Sequence, residues 1–171
     1  MSNVRFDQAA EVQRLQEVLV PLVELFERLH PLLIKERDAL NTRKPAVLED
    51  SSEQIRSVLE EIYKTDQLRQ RLTSRLGMSL GLGPDKLSLK HMDDALGGGS
   101  GLIALRERLT DAILKAEGLN KENQAIFTGV LTATESLLRI LKEGTQGPVS
   151  SYNRLGNRQT GSKFHFLSKQ L

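Results

Sequence analysis

Apolar residues recur along much of this chain at alternating spacings of three and four, the rhythm of one face of an α-helix. The first series is Val12, Leu15, Leu19, Leu22, Phe26, Leu29 and Leu33. It predicts a helix from about Asp7 to Leu40. Val18, Leu25 and Leu32 lie seven apart beside this seam and widen it, which suits a helix with two neighbours better than a two-stranded coil. Pro21 and Pro31 fall inside the pattern. Each removes a helical hydrogen bond and crowds the carbonyl four residues back, so kinks, or a break near Pro31, are expected.

The rhythm stops at Asn41-Thr42-Arg43-Lys44, and Pro45 is well placed to open a second helix. That helix should run to about Leu76, with Leu48, Ile55, Leu59, Ile62, Leu68, Leu72 and Leu76 on its buried side. Its outer face is mixed charge (Glu60, Glu61, Lys64, Asp66, Arg69, Arg71) and reads as solvated. Gly77 to Gly83 is a turn, and a short helix over about 84–96 follows it. Gly97-Gly98-Gly99-Ser100-Gly101 is a flexible connector.

The longest series comes next: Leu102, Leu105, Leu109, Ala112, Ala116, Leu119, Asn123, Ile126, Val130, Ala133, Leu137 and Ile140, without a slip. It predicts a helix over 101–143, about 60 Å long at about 1.5 Å per residue. Gly118 and Gly129 each weaken it by about 1 kcal/mol relative to alanine. Asn123 is the one strongly polar residue on the seam, a type that fixes register or partner choice at some cost in stability. In the second half Phe127, Leu131, Leu138 and Leu141 lie beside the seam, so apolar residues cover more than one face. Two arrangements account for that. The helix lies buried between two neighbours, or it offers a groove to an amphipathic helix of another protein. Gly144 and Gly147-Pro148 should end it. The expected fold is therefore all-α: an antiparallel bundle of three long helices with a short extra helix over 1–143, then a partly ordered basic C-terminal tail, 144–171.

Composition narrows the picture. Thirty leucines and no tryptophan demand an aliphatic core. The absence of cysteine excludes disulfides and thiolate metal sites and fits a reducing cytoplasm. No signal peptide is visible at the start, and the longest purely aliphatic runs, such as Leu32-Leu33-Ile34, are far too short to span a bilayer. The net charge of +2 is uneven, because 144–171 carries Arg154, Arg158, Lys163 and Lys169 and no acid. With Phe164 and Phe166 this is a thin version of a nucleic-acid-binding pattern, and a solvated tail accounts for it better.

Little points to chemistry. Gly97 to Gly101 lacks the Lys-Ser/Thr pair that a phosphate loop needs after it. His91 and Asp94 have the spacing of two metal ligands on a helix, but no third is evident. No nucleophile–base pair is suggested. No catalytic, cofactor-binding or metal-binding residue is assigned, and the expected protein is not an enzyme.

The order of elements, with three short motifs, resembles the FlgN family of flagellar type III export chaperones. Leu32-Leu33-Ile34-Lys35-Glu36-Arg37-Asp38-Ala39-Leu40 is similar to the family's "LL..E..AL" segment. Leu119-Asn120-Lys121-Glu122-Asn123 resembles its "L-N-x-x-N" helix, and Tyr152 with Gly156 its "Y-x-x-x-G". The resemblance spans roughly 10–160. It implies a cytoplasmic chaperone that covers the C-terminal amphipathic segments of the hook–filament junction proteins FlgK and FlgL, prevents premature assembly and docks on the export gate protein FlhA. The expected client groove is Asn123, Ile126, Phe127, Val130, Leu131, Leu137, Leu138 and Leu141. Tyr152, with Gly156, is the expected gate contact. Two other functions stay open on the sequence: a self-associating coiled-coil adaptor, and a nucleic-acid-binding regulator that uses the basic tail.

Overall fold

The computed structural model describes residues 2–146, 150–152 and 158–160, with side chains over 8–142. Among them are four α-helices: α1 (Ser2–Thr42), α2 (Pro45–Ser79), α3 (Leu89–Ala95) and α4 (Leu102–Gln146). A 3-10 turn at Pro84–Lys86 leads into α3. Beyond α4, β1 (Ser150–Tyr152) pairs antiparallel with β2 (Arg158–Thr160), setting Ser150 opposite Thr160 and Tyr152 opposite Arg158. Apart from turns and this ladder, the described residues are helical; strands of three residues are too short to show as a periodicity.

α1 is continuous through both prolines, so the break considered at Pro31 does not occur. Pro21 and Pro31 lie on the exposed side, and so do Glu17 and Glu27, four residues before each. Water can take the carbonyl that each proline deprives of its helical partner. Leu15, Leu19, Leu22, Leu29 and Leu33 of the expected seam are buried, with Val12 and Phe26 at its edge.

The link between α1 and α2 turns on an unusual residue. Lys44 N–H donates to Ala39 O (3.0 Å) and Arg43 N–H to Leu40 O (3.4 Å), while Arg43 sits at φ 52°. That left-handed position is normally glycine, and a side chain there is strained. α2 and α3 end in the same hydrogen-bond pattern with glycine in the strained place. Leu82 N–H bonds Gly77 O around Gly81, and Gly98 N–H bonds Asp93 O around Gly97.

Side-chain pairs give the directions of the helices. Arg75 of α2 meets Glu11 of α1, Glu61 meets Arg28 and Asp50 meets Lys35, so α2 runs antiparallel to α1. Along α4 the partners rise with α1: Ser100 O with Gln16, Arg108 with Glu27, Glu122 with Arg37. Most of these ion pairs are exposed and worth at most about 1 kcal/mol each. The aliphatic core does the holding. At one end Leu15, Leu19, Leu76, Leu89, Met92 and Leu102 cluster, drawing on all four helices. Toward the α1–α2 link Leu25, Leu29, Leu33, Ile55, Val58 and Ala116 form a second cluster.

Two expectations about α2 and the short helix are corrected. Leu59 and Leu68 are exposed, and Ser51, Val58 and Thr73 take buried places. Nine residues at about 100° each put Leu59 and Leu68 on opposite sides, so one face cannot hold both. The expected helix over 84–96 is the 3-10 turn followed by α3, which begins only where Ser88 Oγ accepts His91 N–H (3.3 Å). α2 also runs past Leu76 to Ser79, and α4 passes Gly144 to reach Gln146.

The chain divides into two compact units inside α4, Met1–Ile126 and Phe127–Leu171. Among the described residues no helix is long and apolar enough to cross a membrane.

Candidate helix-docking site

Along α4 up to Asn123, the seam points inward. Leu102, Ala112 and Ala116 are buried, and Leu105, Leu109 and Leu119 pack at the margins of the two clusters. Asn123 closes this stretch. It is 3% exposed, and its Nδ2 donates to Leu33 O and to Glu36 Oε2, both at 2.8 Å. Ser52 Oγ of α2 reaches the other oxygen of Glu36 (3.2 Å), so one polar chain ties α4, α1 and α2 in register. Asn123 Oδ1 has no partner, a cost that an apolar residue would avoid.

After Ile126, which is half-buried, the pattern of burial reverses. Phe127 is 53% exposed, Leu137 61% and Leu141 64%, and Val130, Leu131, Leu138 and Ile140 are exposed as well. At about 100° per residue these side chains cover about 180° of the helix, with Thr128, Thr132, Glu135, Arg139 and Lys142 opposite. Thr134 falls within the apolar half. Its Oγ1 is turned back to Val130 O (2.9 Å), so no unsatisfied hydroxyl interrupts the face. Thr132 and Ser136 bond their own helix in the same way.

Seven of the eight expected groove residues therefore border or form one continuous surface. Asn123 is not part of that surface: its side chain is buried and bonded inside the first unit. Ile140, which the seam contains, belongs to the exposed face too. Of the expected gate contacts, the backbone of Tyr152 lies in β1 and Gly156 falls outside the described residues.

Other features of the first unit serve its structure. Asp93, buried within α3, accepts from the backbone N–H of Ser100 (2.9 Å) and from its hydroxyl. The hydroxyl first, and the N–H second, hold its carboxyl below the usual carboxylate range. The glycine connector is thereby pinned at Ser100. His91 Nδ1 lies 2.9 Å from Ser88 Oγ, and among the described residues no three acids or histidines are grouped to hold a metal ion. A cleft of about 420 Å³ between α1 and α4 is floored by Phe26 and Ala112 and rimmed by Glu27, Arg108, Asp111 and Lys115. Its rim charges are paired, Glu27 with Arg108 and Asp111 with Lys115, and the Asp111 hydrogen bond holds Lys115 above its ordinary pKa.

Among the described residues, α4 thus carries an aliphatic core along its first half and exposed apolar surface along its second. A family model described as FlgN protein matches residues 1–160, and the chain belongs to that family, the flagellar export chaperones. The three motifs noted in the sequence all lie within the matched range. No curated protein and no solved structure matches the chain.

Proposed function

We propose that this protein is a cytoplasmic export chaperone for hook–filament junction proteins of the FlgK and FlgL type, and that it seats their C-terminal amphipathic segments on α4 between Ile126 and Leu141. The observation that carries this reading is the run of exposed large apolar residues from Phe127 to Leu141. A client segment that drives polymerisation when bare is kept from doing so while its apolar side is covered. Covering each half-exposed leucine or phenylalanine contributes about 1 kcal/mol, which must then outweigh the cost of association.

In this reading Met1–Ile126 acts as a three-helix bundle, α2 antiparallel to α1 and to the first part of α4. Residues 144–171 act as a separate tail that delivers the complex to the gate protein FlhA, with Tyr152 and Gly156 in contact. Tyrosine suits such a contact because it offers a large area at low entropic cost. The regular spacing of Val130, Ala133, Leu137 and Ile140 also fits a coiled-coil seam, so self-association is the second reading.

The test is co-purification with a FlgK-type C-terminal segment. Val130→Asp combined with Leu137→Asp should abolish it while leaving the circular dichroism of the protein unchanged. A folded double variant that still binds would remove α4 from the client site. Tyr152→Ala should spare the client and weaken retention on FlhA, and equal loss of both would end the separation of roles.

A further inference from the structure

The exposed face of α4 is wider than one helix can cover, and its own chain shows what such a seam is built to meet. Up to Asn123 the inward residues of α4 span about 100° at about 100° per residue. That stripe already packs on two helices at once. Ala116 clusters with Leu25, Leu29 and Leu33 of α1 and with Ile55 and Val58 of α2. Phe127 to Leu141 continues the same seam in the same helical register and broadens it to about 180°. Two stripes make up this face. Val130, Ala133, Leu137 and Ile140 continue the seam, and Phe127, Leu131, Leu138 and Leu141 run beside it. A single amphipathic helix presents a stripe of about 100° and would leave one of the two in water. The hydroxyls of Thr132, Thr134 and Ser136 are bonded to their own helix, so none of them asks for a polar partner.

We infer that the occupant of this face is a pair of packed helices, a helical hairpin of the client, which takes the place that α1 and α2 hold on the first half of α4. The inference rests on the chaperone reading and specifies the shape of its client. One helix of the pair lies along the seam and the other along the flanking stripe, with the polar side of α4 left to solvent.

The experiment uses the full chain and the C-terminal segment of a FlgK-type junction protein, with binding measured by calorimetry. One variant combines Leu137→Ser with Ile140→Ser, the other Leu138→Ser with Leu141→Ser. All four residues are exposed, so both variants should keep the parent's circular dichroism. Each variant is expected to weaken binding by about tenfold or more. Photo-crosslinkers in place of Ile140 and of Leu138, about 160° apart on the helix, should map to two separate helical stretches of the segment. If only one variant loses affinity, or both crosslinks fall in one stretch, the occupant is a single helix; the pair is overturned and the chaperone reading stands. If neither variant loses affinity, both are overturned. A tight dimer of the chain alone that the same substitutions dissociate would give the face to a second copy and overturn the pair as well.

Discussion

The two halves of α4 share a helix, a spacing and nearly the same residue types, yet they have opposite fates. Leu102 is wholly buried and Leu137 is 61% exposed, although both occupy the same seam. What separates them is supply. The first half faces side chains from α1 and α2, and among the described residues Asn123 is the last of α4 to be buried, bonded to α1 at Leu33 and Glu36. α1 itself ends at Thr42. An apolar stripe is therefore a demand for a partner, and whether that partner lies in the same chain is a separate question. In the function proposed above, the unmet half of the demand is the part that takes the client.

The comparison can be broken most sharply by truncating equivalent residues. Leu102→Ala should cost about 3 kcal/mol of unfolding free energy, since it empties a fully enclosed site, and Leu137→Ala should stay within about 0.5 kcal/mol. Urea denaturation followed by circular dichroism reads both. Similar losses would mean that Leu137 is packed in solution. The boundary residue comes next. Asn123→Ala removes two hydrogen bonds at the end of the buried stretch and should cost about 1.5 kcal/mol. Asn123→Leu removes the same amide, its unpartnered Oδ1 included, but refills the space, and should cost less than Asn123→Ala or raise stability. If the two variants lose equally, the polar chain through Glu36 and Ser52 is not what sets that site.

Smaller effects should be confined to the first unit and leave the exposed face as it is. Arg43→Gly relieves the left-handed position at φ 52° and should stabilise by about 0.5 kcal/mol, after the extra freedom glycine has when unfolded is subtracted. Client affinity should not change. Asp93 provides the pH-dependent check. Its pKa is lowered in the folded state, so its contribution is complete above the ordinary carboxylate value and is lost as pH falls through the lowered one. The melting temperature of the parent should exceed that of Asp93→Asn at neutral pH, and the gap should close in acid. A gap that persists or widens at low pH would refute the role given to Ser100.

The reasons for success and failure are specific to particular residues. The α1 seam was legible from Val12 to Leu33 because a helix with one buried side must repeat at 3 and 4. The turn at Pro45 and the glycine connector were legible because proline and glycine restrict or free the backbone whatever lies around them. Leu59 and Leu68 were misassigned because leucine is common on both sides of a helix in a chain with thirty of them. Asn123 was singled out correctly as the odd residue of the seam, but its partners, Leu33 O and Glu36, lie 90 and 87 residues away, and no local pattern encodes that. The surplus apolar width after Ile126 was visible as well, and it pointed to the residues now found exposed.

By itself the sequence determined where the helices run, which of their faces are apolar, and, through its motifs, the family. Those properties follow from local periodicity and backbone preference. Only the tertiary structure decided which stretch of each apolar face is consumed inside the chain. Hydrophobic burial has no direction of its own: a leucine is satisfied by any close-packed neighbour, and only the folded chain shows that Leu102 is enclosed and Leu137 exposed.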